Sequence, residues 1–278
     1  MKRNWLSYMC MAALFSGALT SCNESSFLNL SDPNHFTESN FWKDKADAES
    51  ALAAAYSPIK GAMYGYFGAF DGWLNLNGRG DDIFTIKGEE VPMWNIANFL
   101  NSPSTGNDPY GALYSGIQRA NIVLRYIDQV PASGITEEDR SMIKGEALFL
   151  RGYQYFLLVN NYKEVPLRLI PSNEDETNKA AATEAALWAQ VEEDLDNAIK
   201  CNLPVERSTA KERITKGAAI AMLGKVYATQ HRYPEAKQLL GTLLKAPYSY
   251  ELIDNFGKNF TNEDEFNKES VYEIAYSP

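Results

Sequence analysis

Tyr64, Tyr66, Phe67, Phe70, Trp73 and Trp94 share one stretch of the chain with Asn75, Arg79 and Asp81. A sugar ring presents an apolar C–H face and a rim of hydroxyls. Indole and phenol planes can stack on the first, while amide, guanidinium and carboxylate groups hydrogen-bond the second. The combination suits capture of an oligosaccharide, with Trp73 and Trp94 as stacking faces and Asn75, Arg79 and Asp81 as polar contacts. Aromatics can equally glue a segment to its support. That reading suits Phe67 and Phe70, whereas for Trp73 and Trp94 both roles stay open.

Covalent chemistry finds less support. His35 and His231 have no companions at metal-ligand spacing and no cysteines are paired, so neither a metal site nor a cofactor is expected. Gly78-Arg79-Gly80 has no strand pattern before it and no helix pattern after it, as a phosphate loop would need. The tripeptide Arg79-Gly80-Asp81 is too short to carry weight. Asp81 and Asp82 are neighbours, and on extended backbone they point to opposite faces. Glycoside hydrolysis wants two carboxyls about 5–9.5 Å apart facing one bond. The acidic runs Glu192-Glu193-Asp194 and Glu263-Asp264-Glu265 read as solvated faces. No enzyme is expected.

The elements that must position the aromatic stretch are helical. The densest is Met142 to Pro166, where Phe149, Tyr153 and Phe156 recur at i, i+4 and i+7 beside Leu150 and Leu157. Only an arc with Lys144, Arg151 and Gln154 remains polar, so this helix must lie inside an array. Thr136 with Asp139 predicts its capped start, and Val165-Pro166 its end. Further helices are expected from about Ala46 to Pro58, with Ala48, Leu52 and Tyr56 on one face; from Tyr110 to Val130; from Thr183, as cap, to Lys200, with Leu187, Val191, Leu195 and Ala198 buried; from Thr215 to Gln230; and from Tyr233 to Lys245. Leu223-Gly224, Tyr227, Ala236 and Leu240 fall where a tetratricopeptide motif places its consensus residues, with Pro247 one position from the closing proline. Gly152 and Tyr155 repeat the offset, with a mate at Val191, Leu195 and Ala198. Gly61 to Gly111 has no sustained period and reads as a long excursion from the scaffold. Short strands are expected at Tyr250-Glu251-Leu252 and Val271 to Tyr276. The predicted fold class is all-α: tetratricopeptide-like helical repeats with long loops and minor β-structure near the C-terminal end.

The 278 residues carry a formal charge of −10, which argues against nucleic acid as a partner. Residues 1–21 read as a signal peptide, with Lys2 and Arg3 ahead of an apolar run from Trp5 to Leu19 that is short for a membrane span. Leu19-Thr20-Ser21-Cys22 has the form of a lipobox, making Cys22 the lipidated residue. Several acyl chains there would anchor firmly, each buried methylene adding roughly 0.8 kcal/mol. Residues 22–35 would form the tether and 36–278 the helical domain. Cys10 leaves with the leader and Cys201 remains alone, so no intrachain disulfide is expected.

The run Gly145-Glu146-Ala147-Leu148-Phe149-Leu150-Arg151, then Tyr155-Phe156, Tyr162 and Val165-Pro166-Leu167, resembles the hallmark segment of the SusD/RagB family. The leader, Phe36 to Tyr56, Tyr114 to Leu124 and Arg213 to Tyr227 match that family in order. Glu212 stands where the family usually has glycine. The resemblance implies an outer-membrane nutrient-binding lipoprotein of Bacteroidetes, working with a SusC-like TonB-dependent transporter. It also implies a second, loop-rich half beyond Pro278, so the chain reads as truncated. The family's ligand contacts follow no fixed motif, and none is carried over. The alternative is a tetratricopeptide-like scaffold for a protein or peptide ligand.

Overall fold

The computed structural model describes residues 41–60, 80–81, 94–95, 97–100 and 110–275. The chain divides into two units, Met1–Phe41 and Trp42–Pro278, and the helices below belong to the second. Among the described residues these are α1 (Lys45–Lys60), α2 (Tyr110–Tyr126), α3 (Glu137–Tyr162), α4 (Glu184–Lys200), α5 (Lys216–Thr229) and α6 (Tyr233–Leu240). Each packs on the next in sequence, and α3 also touches α1 and α5. No helix among the described residues is long and apolar enough to cross a membrane.

Local chemistry places most boundaries where the sequence puts them, although the helix expected from Tyr110 to Val130 tightens after Tyr126 into a 3₁₀ turn, Ile127–Gln129. Thr136 Oγ1 accepts from Asp139 N–H at 3.1 Å and starts α3. Thr183 and Thr215 cap α4 and α5 through the amides of Ala186 and Ala218. Lys163, at φ 64°, ends α3 ahead of Val165-Pro166. Between α5 and α6, His231 takes φ 59° so that His231 and Arg232 N–H can reach the carbonyls of Ala228 and Tyr227. The helix expected from Tyr233 to Lys245 tightens after Leu240 into a 3₁₀ turn, Gly241–Leu244.

Stacked hairpins need close helix approach, and small residues supply it. A Cβ on Gly152 would sit 3.1 Å from Asp194 Cβ and 3.3 Å from Leu195 Cγ, bringing α3 against α4. A Cβ on Gly224 would collide with Leu240 of α6. Both hairpins read from the tetratricopeptide offsets are therefore present, α3 with α4 and α5 with α6. One core runs through them, with Phe149, Tyr155, Leu158, Leu187, Leu195, Ala219 and Val226 all buried. The faces expected on α4 and α1 are buried as drawn, except that Tyr56 is only half-buried.

Two expectations change. Pro58 was expected to end or kink α1, yet the helix runs on to Lys60. Pro58 has no N–H for the carbonyl of Ala54. Arg119 Nη1 from α2 donates to that carbonyl at 2.9 Å instead. The expected strands do not form either. Residues 250–252 and 271–275 are irregular: a ladder needs paired backbone hydrogen bonds, and among the described residues 271–275 make none to another segment. Tyr272 packs edge-on against Phe149, with centroids 5.8 Å apart.

Gly116 on α2 tests the packing most sharply. Its missing Cβ would overlap Gln154 Oε1, and Gln154 is fully buried, held by its amide to the Leu150 carbonyl at 2.8 Å. Gly116→Ala is expected to cost about 1–3 kcal/mol through overpacking, despite alanine's better helix propensity. Urea denaturation reads it directly; an unchanged midpoint would mean that Gln154 swings aside freely.

Candidate functional site

Of the candidate contacts, the described residues include Asp81 and Trp94. Asp81 lies exposed in a bend with Gly80. Trp94 is half-buried in a helical turn, where its carbonyl accepts from Asn98 N–H at 3.1 Å and from Asn98 Nδ2 at 2.8 Å. The turn continues through Phe99, exposed and at φ 55°, to exposed Leu100. Trp73, Asn75, Arg79 and the lipidation candidate Cys22 lie outside the described residues.

The scaffold holds both ends of the excursion by several independent ties. The Ala54–Arg119 bond joins its start, at the end of α1, to α2. At its far end, Tyr110 opens α2 and packs edge-on against Tyr162 of α3 at 5.2 Å and beside Tyr114 at 4.7 Å. Tyr114 donates to the Pro166 carbonyl at 2.6 Å, and burial pushes its hydroxyl above the usual phenol range.

Two buried charge networks brace that scaffold. In the first, Arg151 gives Nε and Nη2 to the two oxygens of Asp194, at 2.8 and 2.6 Å, and Nη1 to Asn121 Oδ1 at 3.0 Å. Gln190 Nε2 also donates to Asp194, at 3.1 Å. Burial opposes the charge on Arg151, but Asp194 outweighs it and raises the guanidinium pKa. Asn121 Nδ2 reaches the carbonyls of Arg168 and Ile170, while the Tyr155 hydroxyl donates to Arg168 O and accepts from Arg168 N–H. The connection between α3 and α4 is thus pinned to the core. In the second network Glu146, with no exposed surface, accepts from Arg207, from Arg213 and from the Tyr56 hydroxyl at 2.5 Å. Burial first, and the carboxylate next, push the Tyr56 pKa well up. Tyr56 also accepts from Ile214 N–H, so α1, α3 and the segment before α5 meet at one carboxylate.

The first network overturns one expectation: Asp194 is 1% exposed and not part of a solvated face. The signal was present in the spacing, since Asp194 stands seven residues after Leu187 and beside Leu195 on the buried stripe. Glu146 was passed over too, three residues after buried Ile143 on α3. Both carboxylates are saturated by structural partners, which leaves neither free to act on a substrate. Among the described residues no group of three or more His, Cys, Asp or Glu could hold a metal ion. Cys201 is a half-buried thiol whose pKa is pushed up by burial.

Residues 82–228 match the SusD-like family model described as "Starch-binding associating with outer membrane". A SusD-like protein, P38, of Formosa agariphila is 25% identical over 246 residues, which is 86% of this chain and 45% of that protein. A SusD superfamily protein of Bacteroides vulgatus superposes with a TM-score of 0.76 at 32% identity, covering 84% of this chain and 50% of that one. A laminarin-binding SusD-like protein superposes with a TM-score of 0.74 at 29% identity, over 83% of this chain and 51% of its own. The chain spans about half the length of these relatives.

Proposed function

Because the chain belongs to the SusD-like family, we propose that it is a surface glycan-binding lipoprotein of the outer membrane. In this reading acylated Cys22 anchors it, residues 22–35 form the tether, and residues 36–278 form the helical domain. The segment bearing Trp73, Asn75, Arg79, Asp81 and Trp94 captures an oligosaccharide and passes it to a SusC-type TonB-dependent transporter. The chemistry is binding without covalent change. The observation that carries the reading is the family match, which begins at Asp82 inside the aromatic segment and runs through α5. The laminarin-binding relative supports the ligand class.

Affinity electrophoresis through gels holding laminarin and other polysaccharides tests it. Retardation of the parent chain is expected on at least one glycan. Trp73→Ala and Trp94→Ala should each weaken it about tenfold, the scale of one lost stacking face. Retardation indifferent to both substitutions would reject the assigned segment. Pulldown from outer membranes should recover a barrel protein, and its absence would count against the handover. Release of reducing ends from a retarded glycan would overturn the non-enzymatic reading.

A further inference from the structure

After the 3₁₀ turn that follows α6, the chain runs without regular structure through Tyr248, Ser249 and Tyr250. The two phenol rings lie within 11° of parallel, with centroids 6.1 Å apart. Tyr250 is pressed onto Gly217 of α5, where a Cβ would collide with its hydroxyl, so the pair is seated on the helical scaffold. With Arg207, Glu206 and Tyr272 these rings line a cleft of about 240 Å³.

The polar wall of this cleft is built from half-buried groups that keep spare hydrogen-bonding capacity. The Arg207 side chain is 10% exposed. Its Nε and Nη2 serve the Ile214 carbonyl, and Nη2 also serves Glu146, while Nη1 has no partner among the described residues. The hydroxyls of Tyr272 and Tyr248 likewise have no hydrogen-bond partner among the described residues. These donors still reach solvent, since among the described residues the buried side-chain N or O atom left without a partner is Gln154 Oε1, so a ligand hydroxyl would take them over from water. Glu146 already matches the charge of Arg207, and Glu206 and Lys211 at the rim are opposite in sign. An uncharged ligand rich in hydroxyls therefore fits better than an anion.

We propose that this cleft is a second saccharide subsite, which takes one neutral pyranose residue against Tyr248 and Tyr250. Arg207 Nη1, the Tyr272 hydroxyl and Glu206 bond its hydroxyl rim. The volume lies below the roughly 300–1,000 Å³ of sites that enclose drug-sized ligands, so one ring enters and the rest of a glycan chain stays outside. The proposal rests on the glycan-binding reading above and extends it. A second weak contact on the same chain would raise retention of long polysaccharides through effective concentration rather than through intrinsic affinity.

Ligand-observed saturation-transfer NMR on the full chain tests it, with D-glucose, D-galactose, D-mannose and D-xylose as probes. The proteins compared are the parent, the Trp73→Ala/Trp94→Ala double variant, and that double variant with Tyr248→Ala or Tyr272→Phe added. Transfer from at least one sugar should persist in the double variant. Adding Tyr248→Ala should lower it about tenfold and adding Tyr272→Phe about threefold, since the latter removes only a hydroxyl. Transfer seen in the parent and lost in the double variant overturns the cleft and leaves the aromatic segment standing. Transfer kept in the double variant and lost when Tyr248→Ala is added establishes the cleft, whatever the laminarin gels show for the segment; transfer indifferent to that addition overturns it. No transfer from any probe in any protein overturns the cleft.

Discussion

Asp194→Ala is expected to lower the unfolding free energy by about 3–5 kcal/mol, the cost of leaving one member of a buried pair without its partner. The side chain removed is 1% exposed, and it receives two donors from Arg151 and one from Gln190. Arg151 would keep only Asn121 Oδ1 and a 3.4 Å contact to the Leu169 carbonyl, with its charge still enclosed. Against a total stability of about 5–15 kcal/mol for an ordinary domain, that is a large share. The loss measures an orphaned guanidinium and not the net value of the pair. Replacing both partners, Arg151→Met with Asp194→Leu, should therefore return most of the stability. Urea denaturation followed by circular dichroism separates the two cases. If the single and double variants unfold together, the pair is not what holds α3 against α4. Limited proteolysis adds a local readout, because Asn121 and Tyr155 tie down residues 168–170 beside this network. Cleavage in the connection between α3 and α4 should quicken in the single variant.

Glu146→Ala should cost a comparable amount, about 3–5 kcal/mol, for the mirror-image reason. One carboxylate with no exposed surface would vanish from between Arg207 and Arg213, whose side chains are 10% and 20% exposed. Arg213 would keep Glu49 of α1 at 2.8 Å, and Arg207 would keep the Ile214 carbonyl. Tyr56 would lose its acceptor, leaving the exposed Lys45–Asp139 pair as a direct bond from α1 to α3. Glu146→Gln preserves shape and one acceptor, so it should fall between parent and alanine. Hydrogen exchange locates the damage: protection should drop first in α1, which leads straight into the aromatic segment. Exchange in α1 no faster than in α5 would show that Tyr56 contributes little to holding that helix.

Much of the scaffold was legible along the chain because its signals are local. A threonine cap needs only the amide three residues on, as at Thr136, Thr183 and Thr215. A buried stripe needs only the helical period, as at Leu187, Val191, Leu195 and Ala198. Gly224 and Ala236 announced a close hairpin: a Cβ on Gly224 would collide with Leu240, and Ala236 is buried. The errors fell where a distant partner changes the outcome. Pro58 would break an isolated helix, but Arg119, 65 residues from Ala54, satisfies the Ala54 carbonyl that the proline strands. Val271 to Ala275 alternates like a strand, but a ladder needs a second chain segment beside it. Asp194 looked like a surface acid and Glu146 was passed over, because a carboxylate gives no sign in sequence of the guanidinium folded against it. The aromatic segment was visible as composition only: which rings face a ligand depends on what each packs against, and that is not a property of spacing.

The amino-acid sequence by itself determined the helices, their caps, the pairing of hairpins and, through its hallmark run, the family. Those depend on interactions within a few residues, or on small side chains that admit one packing. Only the tertiary structure decided which charges are buried, how the connection after α3 is held, and that tyrosines beyond α6 meet Arg207 in a cleft. Such arrangements join residues tens of positions apart, and desolvation decides their value only once the chain has closed around them.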